Sequence, residues 1–160
     1  MVKRAYLAFG SNIGNGEAHI REAWQALSLV PGVVPKRLSN MYVTVPWGYA
    51  DQPDFTNACG EVETTLSPEA LLGVCLGVEA GMGRVRQIKN GPRVIDIDLL
   101  LYEGEERNTH ELILPHPRMW ERTFVLEPLM ELCDHGKLFS FDVAAALAAL
   151  KHESDNGVKA

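Results

Sequence analysis

Val94-Ile95-Asp96-Ile97-Asp98-Leu99-Leu100-Leu101-Tyr102 decides the fold. The run is short, apolar and rich in β-branched residues, and Gly91-Pro92 breaks the chain just before it, so it reads as the strongest strand in the sequence. Working back, residues 4–9 form a first strand that stops at Gly10-Ser11-Asn12. From Ile20, the apolar residues Trp24, Leu27 and Val30 recur at helical spacing until Pro31-Gly32 ends them. Two extended stretches follow, residues 38–45 and 55–66. Ser67-Pro68-Glu69 then announces a second helix, with Ser67 as N-cap, Pro68 in the first turn, and Leu71, Cys75, Val78 and Met82 as its buried stripe. Residues 94–102 thus complete the order strand, helix, strand, strand, helix, strand. That order predicts an α+β, ferredoxin-like βαββαβ sandwich with its helices over one face of the sheet. Beyond it come additional C-terminal helices, a short one near residues 120–130 and an Ala-rich one over about 141–150 capped by Ser140.

The chain of 160 residues is one domain's length, residues 1–160, with 151–160 read as a flexible, solvated tail. Hydrophobic residues at 46% and charged residues at 22% are ordinary globular values, which excludes a disordered or fibrous chain. A net charge of -6 argues against nucleic acid or a membrane surface as partner. The three cysteines, Cys59, Cys75 and Cys133, are too few and too scattered for a disulfide framework or a zinc site, and read as buried thiols. With no signal-peptide core and no apolar run long enough to span a bilayer, a cytoplasmic monomer is expected.

The same strand carries the chemistry. Side chains alternate along a strand, so Asp96 and Asp98 share a face about 7 Å apart. Such a pair can be merely the wet face of a strand. Asp is disfavoured in strand interiors, however, and two like charges repel, while paired hard oxygens suit Mg²⁺ completed by water and substrate phosphates. Just upstream, residues 83–93 hold Arg84, Arg86, Lys89 and Arg93 and no acid, leaving 11 positive against 21 negative charges elsewhere, a balance of -10. Arginine forks on a loop punctuated by Gly83, Gly91 and Pro92 suit phosphate. Carboxylates for Mg²⁺ beside guanidinium groups for phosphate imply a nucleoside triphosphate and a transfer driven by positioning and charge neutralisation. No Walker A loop is present. Pro115-His116-Pro117-Arg118, followed by Arg122, adds a fixed histidine and more positive charge, while Phe55 and Asn57 share a face where a ring and a carboxamide could hold a planar ligand. A non-catalytic ligand-sensing domain and a two-metal nuclease or nucleotidyl transferase both remain compatible with these residues.

The chain resembles the 6-hydroxymethyl-7,8-dihydropterin pyrophosphokinase family of folate biosynthesis. The resemblance runs through residues 7–12, Tyr42-Val43-Thr44-Val45-Pro46-Trp47-Gly48, residues 51–58, Glu79, Gly83-Arg84-Val85-Arg86, the Gly91-Pro92-Arg93-Val94-Ile95-Asp96-Ile97-Asp98 block and Leu114-Pro115-His116-Pro117-Arg118. It implies transfer of diphosphate from ATP to the hydroxymethyl group of a reduced pterin, releasing AMP. By the same resemblance, Asp96 and Asp98 would bind two Mg²⁺ ions, and Arg84 and Arg93 would neutralise the phosphates. Glu79, Arg86, His116 and Arg122 would belong to the ATP site. Phe55 and Phe124 would sandwich the pterin, Asn57 and Asp96 would reach its polar groups, and Thr44 and Trp47 would line the pocket with backbone groups.

Overall fold

The structure, a computed structural model, describes residues 1–44, 54–83 and 94–155, with residues 154 and 155 by backbone only. In chain order the elements are β1 (Lys3–Ser11), α1 (Gly16–Leu27), β2 (Val33–Leu38), β3 (Tyr42–Thr44), β4 (Phe55–Thr64), α2 (Pro68–Gly81) and β5 (Asp96–Tyr102). There follow β6 (Arg107–Asn108), β7 (Ile113–Leu114), a 3₁₀ turn (Met119–Glu121), α3 (Thr123–Met130), β8 (Lys137–Leu138), β9 (Phe141–Asp142) and α4 (Val143–Asp155). The main sheet has the order β2-β4-β1-β5, with β3 also on β4. Every one of its strand pairs is antiparallel.

One face of the sheet carries α1 and α2. Leu7, Phe9, Ala58, Val62, Ile97 and Leu99 meet Ile20, Leu27, Leu71 and Cys75 there. Gly60 is glycine for a packing reason: a Cβ at that position would lie 2.4 Å from Cζ3 of Trp24 and 3.2 Å from Cε1 of Phe9. The expectation of helices over one face covers only half of the molecule. On the opposite face Tyr6, Ala8, Cys59, Leu100 and Leu101 pack against Val125, Leu126, Leu129 of α3 and Val143, Leu147 of α4. The C-terminal helices are therefore a third layer on the core, burying apolar surface that would otherwise face water.

Several boundaries differ from the sequence reading for identifiable reasons. The first helix begins at Gly16, because the side chain of Asn15 accepts the Ala18 N–H at 3.1 Å and starts it a turn before the apolar spacing shows. The stretch expected at 38–45 is not one strand: β2 lies upstream and reaches it only at Leu38, and β3 begins at Tyr42. Ser39 leaves the ladder between them to place its hydroxyl on the Cys59 N–H at 2.9 Å; Val45 lies outside the described residues. The strand after it ends at Thr64, whose hydroxyl turns to the Gly32 carbonyl at 2.7 Å. Ser67 caps α2 as expected, accepting from Ala70 N–H at 3.1 Å, and Leu71 and Cys75 are buried. Val78 and Met82 pack against the same core but are only partly buried, and Glu79 is the fully buried residue of that turn. Leu101 does not face the same way as Ile97 and Leu99: pairing of Tyr6 with Leu101 and Leu7 with Leu99 leaves Leu100 as an extra residue, and this bulge reverses the alternation. The last helix is capped by Asp142, which accepts the Ala145 N–H at 2.9 Å, and not by Ser140. It also runs through Asp155, into the segment read as a tail. Cys59 and Cys75 are buried, whereas Cys133 is only half-buried.

Candidate active site

The sheet register builds the site. Tyr42, Asn57, Gly10 and Asp96 stand directly opposite one another on four neighbouring strands, and Cys59, Ala8 and Asp98 form the parallel row two residues on. Directly paired side chains project to one face, so Asn57, Asp96 and Asp98 emerge together on the α3 side of the sheet. At about 4.8 Å per strand, Asn57 and Asp96 are roughly 10 Å apart with glycine between them. A Cβ on Gly10 would sit 3.3 Å from Oδ1 of Asn57, so the missing side chain keeps this floor open. Phe55 begins the same strand face, opposite Thr44, and Asn57 Nδ2 donates to Thr44 Oγ1 at 3.0 Å.

Asp96 and Asp98 lie on β5, the outer strand of the sheet, and two contacts among the described residues fall on its outer edge. The carboxylate of Glu79, only 3% exposed, accepts the Ile97 N–H at 2.7 Å, between the two aspartates. Farther along, the His116 N–H donates to the Leu100 carbonyl at 2.9 Å. These bonds occupy backbone groups of the outer strand beside the residues that would carry charge.

The start of α3 overhangs this face. Arg122 approaches Asp98 at 4.0 Å, and its guanidinium carbon lies 5.6 Å from the Phe124 ring centroid. Burial, then the neighbouring Arg118, push the Arg122 pKa below its ordinary value, with Asp98 and Asp96 opposing them. Burial likewise lowers the His116 pKa, with Asp98 acting to raise it and Arg122 and Arg118 to lower it further. His116, Arg122, Asp96 and Asp98 are thus one electrostatic cluster. Beside it a cleft of about 280 Å³ runs along the outer side of β5. Its walls include Leu72 and Leu76 of α2, Leu112 and Ile113 of the β6–β7 hairpin, and Asp98 and His116.

Asp96 and Asp98 are a pair, and no group of three metal-ligating side chains occurs among the described residues. Two carboxylates on one face are the set Mg²⁺ takes when water and phosphate oxygens complete its shell, so the residues fit that ion. Arg84, Arg86, Lys89, Arg93 and Trp47 lie outside the described residues.

A family model, 7,8-dihydro-6-hydroxymethylpterin-pyrophosphokinase (HPPK), matches residues 6–134. This chain is a member of the HPPK family. A 2-amino-4-hydroxy-6-hydroxymethyldihydropteridine pyrophosphokinase of Methylorubrum extorquens is 46% identical to it over 92% of this chain and 93% of that protein. The enzyme of the same name from Bacillus subtilis is 45% identical over 81% and 77%. A crystal structure of HPPK-DHPS in complex with substrates shares the fold, with a TM-score of 0.70 at 15% identity. A triple mutant of Plasmodium falciparum HPPK-DHPS superposes with a TM-score of 0.74 at 14% identity. The present chain covers 99% of itself against both but only 46% and 45% of those longer chains.

Against the HPPK reading, the structure brings Thr44, Phe55, Asn57, Asp96, Asp98, Arg122 and Phe124 to one face and Glu79 and His116 to the adjoining edge. Three features are set by tertiary structure. Gly10 opens the floor through its place in the row. His110 lines the cleft. Glu131 and Tyr42 form a hydrogen bond across 89 residues that no local pattern announces.

Proposed function

We propose that this chain transfers the terminal diphosphate of ATP to the hydroxymethyl group of 6-hydroxymethyl-7,8-dihydropterin, releasing AMP, the reaction in folate biosynthesis for which its 46% identical relative is named. The observation that carries the site assignment is the row Asn57, Gly10, Asp96, which sets a polar recognition group and a metal-ligating group on one open floor. The pterin would lie over Gly10 between Phe55 and Phe124. Asn57 would bond its polar edge, Thr44 and Trp47 would line the pocket, and Asp96 would stand beside the hydroxymethyl arm. The adenine and ribose would occupy the cleft of about 280 Å³, close to the lower end of ligand pockets at roughly 300 Å³.

Asp96 and Asp98 would hold Mg²⁺, two ions in our reading, which when bound neutralises phosphate oxygens and polarises the attacking hydroxyl. The chain's own part is positioning. Glu79 fixes the strand that presents both carboxylates, and it also belongs to the ATP side of the site. Arg122, braced by Phe124 and Asp98, and His116 at the strand edge face the phosphate chain, joined by Arg84, Arg86 and Arg93 of the basic loop. Two reactants held in line supply much of the rate, because a bimolecular encounter becomes an intramolecular step.

We read the strand order β2-β4-β1-β5 as the ferredoxin-like arrangement with an added helical layer. The chain would act as a monomer in the cytoplasm. Pro35 and Lys36 on the outer strand β2 discourage edge pairing, and no helix among the described residues is long and apolar enough to cross a membrane. The test is incubation with ATP, Mg²⁺ and the reduced pterin. AMP and pterin diphosphate are expected, whereas ADP as the nucleotide product would refute diphosphate transfer.

A further inference from the structure

Glu131 follows the last residue of α3, the helix that carries Phe124 in its first turn. Its carboxylate has three partners on the segment leading into β3. Oε1 accepts the Asn40 backbone N–H at 2.9 Å and Asn40 Nδ2 at 3.3 Å, and Oε2 accepts the Tyr42 hydroxyl. The Tyr42 pKa is pushed up to about 12, first by that hydrogen bond and then by burial.

What this clamp holds is a short, exposed element. Among the described residues, β3 has three residues and pairs only with β4, so few backbone bonds fix it. Tyr42 is directly opposite Asn57, and two residues on, Thr44 Oγ1 receives Asn57 Nδ2. With its amide nitrogen turned to β3, Asn57 directs Oδ1 toward Gly10, along the row that ends at Asp96. A ligand over Gly10 therefore meets an acceptor whose orientation depends on where β3 sits.

We propose that Tyr42 and Glu131 are positioning residues for the pterin pocket: the carboxylate pins the start of β3 so that Thr44 holds the Asn57 carboxamide with its oxygen toward the ligand. This inference rests on the assignment of Asn57 to the pterin. It makes α3 a single brace, carrying Phe124 above the ligand at one end and setting the Thr44–Asn57 pair at the other. Neither residue touches substrate in this scheme. Their loss acts on pterin affinity and leaves the nucleotide cleft, on the far side of β5, as it was.

The experiment measures pterin Kd without nucleotide, Kd for a non-hydrolysable ATP analogue, kcat at saturating pterin, and Tm. The proteins are wild type, Tyr42→Phe, Glu131→Gln, the double variant and Asn57→Ala. One hydrogen bond is commonly a few-fold to about tenfold in a binding constant, so Tyr42→Phe and Glu131→Gln should each raise pterin Kd by about three- to tenfold. Nucleotide Kd and kcat should stay within about twofold. The double variant should be no weaker than the weaker single, because the Tyr42 hydroxyl acts on β3 only through the Glu131 carboxylate. If Asn57→Ala weakens pterin binding while both single variants bind as wild type, the positioning role is overturned and the site assignment stands. If Asn57→Ala itself binds as wild type, the site assignment falls and this inference falls with it. An equal loss of pterin and nucleotide affinity, or additive effects in the double variant, also overturns the positioning role.

Discussion

Removing Glu79 should loosen the strand on which the proposed chemistry depends, and the size of the effect follows from its surroundings. The carboxylate is 3% exposed and accepts the Ile97 N–H at 2.7 Å, on the outer edge of β5. Glu79→Ala leaves that donor unpaired in a buried position, at about 1–3 kcal/mol. The γ-methylene lost with the carboxylate adds about 0.8 kcal/mol. The sum, about 2–4 kcal/mol, corresponds to a fall in Tm of roughly 4–16 °C at the 2–4 °C per kcal/mol usual for a chain this long. Glu79→Gln keeps an acceptor oxygen and gives up only the charged part of the bond, about 1 kcal/mol or roughly 2–4 °C. Thermal unfolding followed by circular dichroism separates the two. AMP formation, assayed well below both transitions, should fall more in Glu79→Ala than the folded fraction does, since the Asp96–Asp98 edge is then free to move. Equal Tm values for the two variants, or a wild-type Tm for Glu79→Ala, would refute the reasoning.

Gly10→Ala places a methyl 3.3 Å from Asn57 Oδ1, so pterin Kd should rise by about three- to tenfold with little change in Tm; unchanged pterin affinity would contradict the open floor. Gly60→Ala forces the Trp24 ring off a Cβ only 2.4 Å away, and overpacking of this kind costs about 1–3 kcal/mol; a urea midpoint equal to wild type would show that the ring moves freely. The Tyr42–Glu131 bond predicts a pH signature. Because the folded pKa of about 12 lies above the ordinary 10.0, the bond's contribution is complete below pH 10 and disappears as pH rises through 12. The urea-midpoint difference between wild type and Tyr42→Phe should accordingly be present near pH 8 and shrink across that window, and a difference constant with pH would contradict the assignment.

The alternation of strands and helices up to residue 102 was largely legible because most of these elements carry a local signal: period-two carboxylates in residues 94–102, a Ser67-Pro68 helix start, and glycine or proline stops between. What it concealed was set by tertiary contacts. The bulge at Leu100, which sends Leu101 to the opposite face, leaves an uninterrupted Leu-Leu-Leu run and is visible only against the Tyr6–Leu7 pairing. Asp142 caps α4 in place of Ser140 because the β8–β9 hairpin brings the chain round at that residue. At the site, Asp96, Asp98, Phe55 and Asn57 were each readable from alternation within their own strand. That Asn57 and Asp96 stand in one row with Gly10 between them is a fact of register, which no single strand encodes. Glu131 is the extreme case, since its partners lie about ninety residues away and its own neighbourhood reads as the unremarkable end of a helix.

We propose that Asp96 and Asp98 present ATP's diphosphate to a pterin hydroxyl on one face of this sheet. Its most direct test is product analysis by ³¹P NMR after incubating wild type, Asp96→Asn and Asp98→Asn with ATP, Mg²⁺ and the reduced hydroxymethylpterin, alongside pterin binding without nucleotide. Expected are AMP and pterin diphosphate from wild type, turnover lower by orders of magnitude in both variants, and pterin binding kept in each. Wild-type turnover by either variant, or ADP in place of AMP, would contradict it.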